Sequence, residues 1–264
     1  MNVTYLLDDT AISGRARTLL AQADALVGRG HRVRIATTGA PVTWRASRAE
    51  WMYVDDFSSV EDEIVVAEPP AGFEIVDAEV YRARVAQENA PVRVLLCGAS
   101  QDEAKHLDDG YGAAAHARWF HQRFDLIRVS PWAPSRDEPL DAVQEFHVGL
   151  TTAEMTRLMH SCDAIIAPEE RFSLSTAEAL AAGLPAAMTH RDWDYGLSAP
   201  VDNAVELGEK LIELLSDAEL RDRLRKRGWA VAERWRAANV AARLEEWLVE
   251  RRRPGGWPGG VPPP

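Results

Sequence analysis

The sequence predicts an α/β protein built on parallel sheets with helices on both faces, and three observations indicate this class. Short apolar runs alternate with segments of helical periodicity between residues 92 and 188. Residues 3–37 have the pattern of a strand, a helix and a second strand, which is a βαβ unit with parallel strands and a right-handed crossover. The length of 264 residues allows one large domain or two small ones, each with its own core.

The N-terminal elements follow from local pattern. Apolar residues at helical spacing predict one helix, which a glycine pair ends before the next strand begins. The predicted elements are a strand at 3–7, a helix at 17–27, a strand at 33–37 and a weak strand at 63–67. Because the pattern weakens from residue 44 onward and a proline-glycine breaker follows Glu68, we place a domain boundary there. Residues 1–68 are then a partial N-terminal domain, smaller than the second domain at 69–253.

The second domain begins with Val92–Cys97, a nearly continuous apolar run of the kind found in buried parallel strands. Alternating strands and helices follow, and the last third of the chain is helical. In chain order these are a helix at 110–123, strands at 126–129 and 144–148, a helix at 152–162, a strand at 164–167, a helix at 175–182, a strand at 184–188 and helices at 203–215, 217–235 and 237–252. Residues 254–264 have the proline-glycine composition of a disordered tail.

Composition and charge exclude several classes of function. The chain has 41 acidic and 30 basic side chains, and a net charge of −11 argues against a general affinity for nucleic acid or anionic membranes. No apolar run reaches the roughly 18 residues that span a bilayer, so we expect no transmembrane segment. Two cysteines cannot form a disulfide framework in a chain of this size, which favours a cytoplasmic location.

The segment most informative about chemistry runs from Ala167 to Pro185. A buried strand ends at Ala167, and a helix begins near Ser175. Ligands of open α/β sheets bind at the carboxyl ends of the strands, where the N–H groups of a helix N-terminus bind phosphate. Glu170 and Glu178, with seven residues between them, are expected to face one cleft and accept hydrogen bonds from sugar or ribose hydroxyls.

This segment resembles a known family signature. Glu170-x7-Glu178 with Phe172 between them, followed by Gly183 and Pro185, is similar to the signature of family-four retaining glycosyltransferases, which have the GT-B fold of two Rossmann-like domains. Two further matches occur in the family's order. Gly98 to Lys105 has the spacing of the family's glycine-arginine-lysine loop, and Ser13-Gly14 resembles its N-terminal glycine loop.

The resemblance implies transfer of a sugar from a nucleotide-diphosphate donor to an acceptor with retention of configuration. It assigns Glu170 to the sugar hydroxyls, Glu178 to the ribose and Lys105 to the diphosphate leaving group, whose charge grows in the transition state. Glu170 and Lys105 are thus the predicted catalytic residues. The other predicted donor-binding residues are Arg171, Phe172, Ser173, Leu174, Gly98, Ser13 and Gly14. The resemblance implies no metal and no cofactor besides the donor.

Departures from the family pattern leave a second function open. Ala99 stands where the family has the arginine that accompanies the lysine, and Arg171 stands where it has glycine. The chain is also short for two full domains, so its N-terminal domain is predicted to be truncated. The alternative is a non-catalytic homologue that binds a nucleotide sugar or supports a full-length glycosyltransferase. The expected partners are a nucleotide sugar, an acceptor that the sequence does not name, and a second copy of the chain or a partner glycosyltransferase.

Overall fold

The computed structural model of the protein describes residues 1–70, 72–81, 91–169, 172–189 and 195–251. Glu170, Arg171 and the proline-glycine tail at 254–264 lie outside these ranges. No helix within the described ranges combines the length and the apolar character needed to cross a membrane.

The helices and strands are defined in chain order. They are β1 (Asn2–Leu7), α1 (Gly14–Gly28), β2 (Arg32–Thr37), β3 (Glu50–Tyr53), β4 (Ile64–Val66), β5 (Arg93–Cys97), α2 (Leu107–Trp119), β6 (Asp125–Ser130), β7 (Glu145–Val148), α3 (Thr152–Ser161), β8 (Ala164–Ala167), α4 (Leu174–Ala181), β9 (Ala186–Met188), β10 (Gly196–Ser198), α5 (Ala204–Ser216), α6 (Ala218–Ala232) and α7 (Ala237–Arg251). The chain divides into two compact units, one at 1–75 and 234–264 and the other at 76–233.

The first unit contains a parallel four-stranded sheet in the order β3-β2-β1-β4. Its core forms between β1 and the apolar side of α1, because Tyr5 and Leu19 are both fully buried. The one polar side chain that α1 buries completely is satisfied locally: Gln22 accepts from the Tyr5 hydroxyl at 3.3 Å and donates to the Phe73 carbonyl at 3.0 Å. The parallel pairing of β1 with β2 confirms the predicted βαβ unit.

Helix α7 belongs to the first unit, although the sequence places it in the second domain at 69–253. Its apolar stripe supplies Leu244 and Leu248 to the core formed by β1 and α1, and Val240 packs with Ala21 and Ala25 of α1. The small alanine side chains let the two helices approach closely. The helix was predicted from its own periodicity, but periodicity does not specify the partner of the apolar face.

The second unit contains a parallel six-stranded sheet in the order β10-β9-β8-β5-β6-β7. Strand β5 lies at the centre of the sheet, and its residues Leu95 and Leu96 are fully buried. From β5 the chain adds β6 and β7 on one side, then returns to add β8, β9 and β10 on the other. The strand order therefore reverses between β5 and β8, which is where open α/β sheets bind ligands.

Two strands were missing from the sequence-based prediction. Strand β3 is an edge strand of four residues that are all partly or fully exposed, so its sequence lacks an apolar alternation. Strand β10 has three residues, begins with a glycine and also lies at an edge. Short edge strands are specified by pairing with their neighbours more than by local pattern.

Candidate functional site

The candidate site lies in the second unit, at the carboxyl ends of β5 and β8. The two strands are hydrogen-bonded neighbours, with Leu96 of β5 opposite Ile166 of β8. The loop after β5 runs from Gly98 to His106, and the loop after β8 leads to Ser173 at the start of α4. Both loops begin at the point where the strand order reverses.

The loop after β5 folds back on itself and brings Lys105 against Gly98. Asp102 supports this turn, because its carboxylate accepts a hydrogen bond from the Ala104 amide at 3.2 Å. Gly98 has φ +154°, and a side chain there would begin 3.1 Å from Cγ of Lys105 and 3.3 Å from Cδ2 of Leu107. Glycine is therefore needed at position 98 both for its backbone angle and for the space that the lysine occupies.

We expect Gly98→Ala to lower the free energy of unfolding by about 1–3 kcal/mol, because the methyl group meets Lys105 in a strained backbone conformation. Gly14→Ala is the matched control, since Gly14 begins α1 and nothing lies within 4 Å of the added Cβ. Chemical denaturation of both variants measures the difference. Equal stability of the two variants would contradict this account of the loop.

Lys105 forms a largely buried ion pair with Glu169. The Nζ atom lies 2.6 Å from Oε2 of Glu169, and the exposed fractions of the two side chains are 19% and 3%. A hydrogen bond between a lysine ammonium and a buried carboxylate limits the positions that the flexible lysine side chain adopts. The lysine of the predicted diphosphate site is thus held by an acid that sequence analysis assigned no role.

Glu169 also binds the start of α4. Its Oε1 atom accepts hydrogen bonds from the hydroxyls of Ser173 and Thr176, each at 2.5 Å, and its backbone carbonyl accepts from the Thr189 hydroxyl at 2.8 Å. One carboxylate therefore connects the loop after β5, the loop after β8 and the first turn of α4. A signal for this role is present in the sequence, because hydroxyl residues follow Glu169 at the fourth and seventh positions.

Helix α4 carries the second signature glutamate. Ser173 caps the helix by accepting a hydrogen bond from the Thr176 amide at 3.4 Å. Glu178 lies one turn inside the helix and is buried, with 1% of its surface exposed. Burial raises the pKa of the Cys97 thiol, and the nearby charges of Glu169 and Glu178 also raise it. Ser173 also donates to Glu169, so the helix that carries Glu178 begins beside the Lys105–Glu169 pair.

The predicted site residues fall into three groups. Those gathered at the ends of β5 and β8 are Gly98, Lys105, Phe172, Ser173, Leu174 and Glu178. Glu170 and Arg171 lie outside the described residues. Ser13 and Gly14 lie in the first unit, where the Ser13 hydroxyl caps α1 by accepting from the Ala16 amide at 3.1 Å.

The alanine side chain at position 99, where the signature has an arginine, is buried. Within the described residues, the one group with the proximity of metal ligands is His106, Asp109 and Asp202, whose ligand atoms lie within 4.8 Å of one another. Their present contacts are mutual: Nδ1 of His106 lies 3.2 Å from Oδ1 of Asp202, and the Asp202 amide donates to Asp109 at 3.0 Å.

Comparisons by sequence identify no relative. No protein-family model matches the chain, and no curated protein matches it.

Comparison of structures does find matches. Anabaena Alr3699/HepE in complex with UDP-glucose aligns over 95% of this chain and 100% of its own, with a TM-score of 0.64 and 11% identity. WaaG, described as a glycosyltransferase involved in lipopolysaccharide biosynthesis, aligns over 93% of this chain and 99% of its own, with a TM-score of 0.63 and 13% identity. A mutant of S. aureus TarM, solved with fondaparinux, α-GlcNAc-glycerol and UDP, aligns over 72% of this chain with a TM-score of 0.52 and 14% identity. The chain spans 40% of the TarM chain. These likenesses show the fold: two parallel sheets with flanking helices and a helical C-terminus, as in GT-B glycosyltransferases.

Proposed function

We propose that the protein is a glycosyltransferase that binds a nucleotide-diphosphate sugar at the carboxyl ends of β5 and β8 and transfers the sugar to an acceptor with retention. One observation carries the proposal. Lys105, in the loop after β5, and Ser173, at the start of the helix that carries Glu178, both bind the carboxylate of Glu169. A cation, a helix N-terminus and a buried carboxylate are the groups that a diphosphate and a ribose require.

The proposed chemistry follows from these groups. Breaking the bond between the anomeric carbon and the donor's phosphate oxygen leaves the electron pair on the diphosphate. Lys105 and the N-terminus of α4 stabilise that developing charge. The acceptor hydroxyl forms its bond on the face that the diphosphate leaves, so the departing phosphate oxygen is within reach of the proton that the hydroxyl loses. Glu170 holds the sugar hydroxyls and Glu178 holds the ribose in this scheme.

Ala99 favours the second candidate, a homologue that binds the donor without transferring the sugar, because it leaves the diphosphate with one cation fewer than the signature provides. The two candidates share a binding step and differ in turnover. Both are consistent with a cytoplasmic protein, in whose reducing environment the buried Cys97 and Cys162 stay free thiols.

Calorimetric titration with UDP-glucose and other nucleotide sugars tests binding, and release of the sugar from the donor tests turnover. UDP-sugars come first because structurally similar chains were solved with UDP or UDP-glucose. We expect Glu178→Gln to weaken donor binding about ten- to hundredfold, since it replaces a charged hydrogen-bond acceptor. Glu209→Gln, on the exposed side of α5, is the matched control and is expected to bind as the unchanged protein does.

Each outcome has a definite meaning. Binding followed by sugar release supports the transferase, whereas binding without release leaves only the non-catalytic candidate. If the unchanged protein binds none of the nucleotide sugars, the proposed function is wrong.

A further inference from the structure

A buried ion pair lies at the carboxyl end of β6, beside the candidate site. Nε of Arg128 lies 2.7 Å from Oε1 of Glu138, and the two side chains are 0% and 2% exposed. Arg128 occupies the register position opposite Leu96 of β5, one residue before that strand ends. An arginine among the buried residues of a strand costs desolvation energy, which the carboxylate offsets only if its geometry is good.

Glu138 joins three separate elements through this pair. It accepts a hydrogen bond from the Tyr111 hydroxyl of α2 at 2.6 Å and another from the Ser100 hydroxyl in the loop after β5. Burial opposes ionisation of Glu138, but the hydrogen bonds from Ser100, Tyr111 and Arg128 hold its pKa below the usual value. The carboxylate is therefore the charged centre of a network that reaches from β6 to the loop that carries Lys105.

Additional contacts join the loop after β5 to the loop after β6, which carries Glu138. The Ser135 amide donates to the Ser100 hydroxyl at 3.3 Å, and the Gln101 side chain donates to the Ala133 carbonyl at 3.2 Å. Ser100 and Gln101 thus hold the first half of the loop, and Glu169 holds Lys105 in the second half. The loop is fixed from both sides of β5.

The Arg128–Glu138 ion pair does more than stabilise the fold. Nη2 of Arg128 is buried and has no hydrogen-bond partner among the described residues, a state that costs free energy in a folded protein. An apolar pair of similar volume is often at least as stable as a buried ion pair. What the ionic pair adds is a directional attachment for the Ser100 and Tyr111 hydroxyls.

We propose that Glu138 is a positioning residue, which holds the loop after β5 so that Lys105 is placed to bind the donor diphosphate. The proposal rests on the proposed function for its ligand, and on the network of Arg128, Tyr111 and Ser100 for its geometry. Glu138 acts through the loop and need not contact the donor. Removal of its charge therefore affects recognition of the diphosphate more than recognition of the nucleoside.

Glu138→Gln tests this, with UDP and UMP as probes. The preference for UDP over UMP reports the contacts made by the second phosphate, which is the part of the ligand assigned to Lys105. We expect Glu138→Gln to reduce this preference about ten- to hundredfold while UMP affinity stays within about twofold. A role in stability alone would weaken both probes together or neither.

Hydrogen–deuterium exchange tests the geometry without a ligand. Amides in the loop, including those of Asp102 and Lys105, form local backbone hydrogen bonds and are expected to exchange faster in Glu138→Gln. Glu145→Gln is the matched control, because it breaks an Arg–Glu pair with Arg93 at the opposite end of the same sheet. That control is expected to leave both loop exchange and the UDP preference unchanged.

Ser100→Ala is a milder second variant, since it removes the hydrogen bonds that the Ser100 hydroxyl makes with Glu138 and with the Ser135 amide but keeps Arg128 paired with Glu138. A smaller change in the same direction in both measurements supports the proposal. Unchanged loop exchange and an unchanged UDP preference in both variants would overturn it. If the unchanged protein binds neither UDP nor UMP, the panel of nucleotide sugars decides the proposed function, and loop exchange still decides whether Glu138 fixes the loop.

Discussion

Glu169→Gln is expected to lower the free energy of unfolding by about 3–5 kcal/mol, one of the two largest effects we expect in this protein. The carboxylate is almost fully buried and serves Lys105 with one oxygen and the hydroxyls of Ser173 and Thr176 with the other. A glutamine amide has one acceptor oxygen. If that oxygen accepts from the hydroxyls, the NH₂ group faces the ammonium of Lys105, which is left as a partly buried charge without a counter-ion.

The chain provides a matched control for this substitution. Lys210 and Glu213 also form a lysine–glutamate pair, at 3.4 Å, but their side chains are 32% and 50% exposed on α5. Pairs of that kind contribute about 0–1 kcal/mol, so Glu213→Gln is expected to change stability by less than 1 kcal/mol. Urea unfolding of both variants measures the two effects.

A double variant separates the charge from the packing. Adding Lys105→Met to Glu169→Gln removes the uncompensated ammonium, so the double variant is expected to be more stable than Glu169→Gln alone. A loss below about 1 kcal/mol in Glu169→Gln would show that the pair is solvated in solution. The connection that we ascribe to Glu169 would then be wrong.

The role of Glu169 marks the limit of what sequence could predict at this site. Sequence analysis expected a ligand site at the carboxyl ends of the strands, and the resemblance assigned Lys105 and Glu178 to it; in the structure the loop that carries Lys105 meets the start of the helix that carries Glu178 through Glu169. Sequence analysis assigned no role to Glu169, the acid immediately before the signature glutamate. Its burial depends on the lysine 64 positions earlier in the chain, a distance that no local pattern reports.

The fold, too, could be predicted where local pattern specifies it and could not where a contact distant in the chain does. Buried strands such as β5 and β8 were predicted nearly to the residue, since burial on both faces requires continuous apolar sequence. The helix now called α7 was predicted as an element and placed in the domain at 69–253; Leu244 and Leu248 specify its apolar face, whereas the neighbour of that face, in the first unit, is not specified by local pattern. Arg128 carried a sequence signal that went unused: a charge inside an apolar strand requires a buried counter-ion elsewhere.

Lys105→Met is expected to weaken binding of UDP about ten- to hundredfold and to leave UMP binding nearly unchanged. The reason is the number of donors on the ammonium. A lysine ammonium has three N–H donors. Glu169 accepts a hydrogen bond from one of them, so the pair orients the ammonium and leaves the remaining N–H groups able to donate. A charged hydrogen bond to phosphate contributes about 1.5–3 kcal/mol, which corresponds to the expected loss in affinity.

Lys226→Met is the matched control, because Lys226 is 73% exposed on α6 and pairs with Asp222 one turn earlier in the same helix. Lys105→Arg serves as a second variant that keeps the charge beside Glu169 and so keeps the fold intact. Calorimetric titration of each variant with UDP and UMP gives the change in the diphosphate preference.

The stability measurement and the binding measurement constrain each other. If Glu169 only neutralised Lys105, Glu169→Gln would free the ammonium and strengthen UDP binding. If Glu169 holds the ammonium in place, as its second set of bonds to Ser173 and Thr176 implies, Glu169→Gln weakens UDP binding in the same direction as Lys105→Met. We expect the second result. An ammonium on a flexible four-carbon chain loses more UDP affinity when it becomes disordered than it gains when one carboxylate releases it. Tighter UDP binding by Glu169→Gln would instead identify Glu169 as a competitor that the diphosphate must displace.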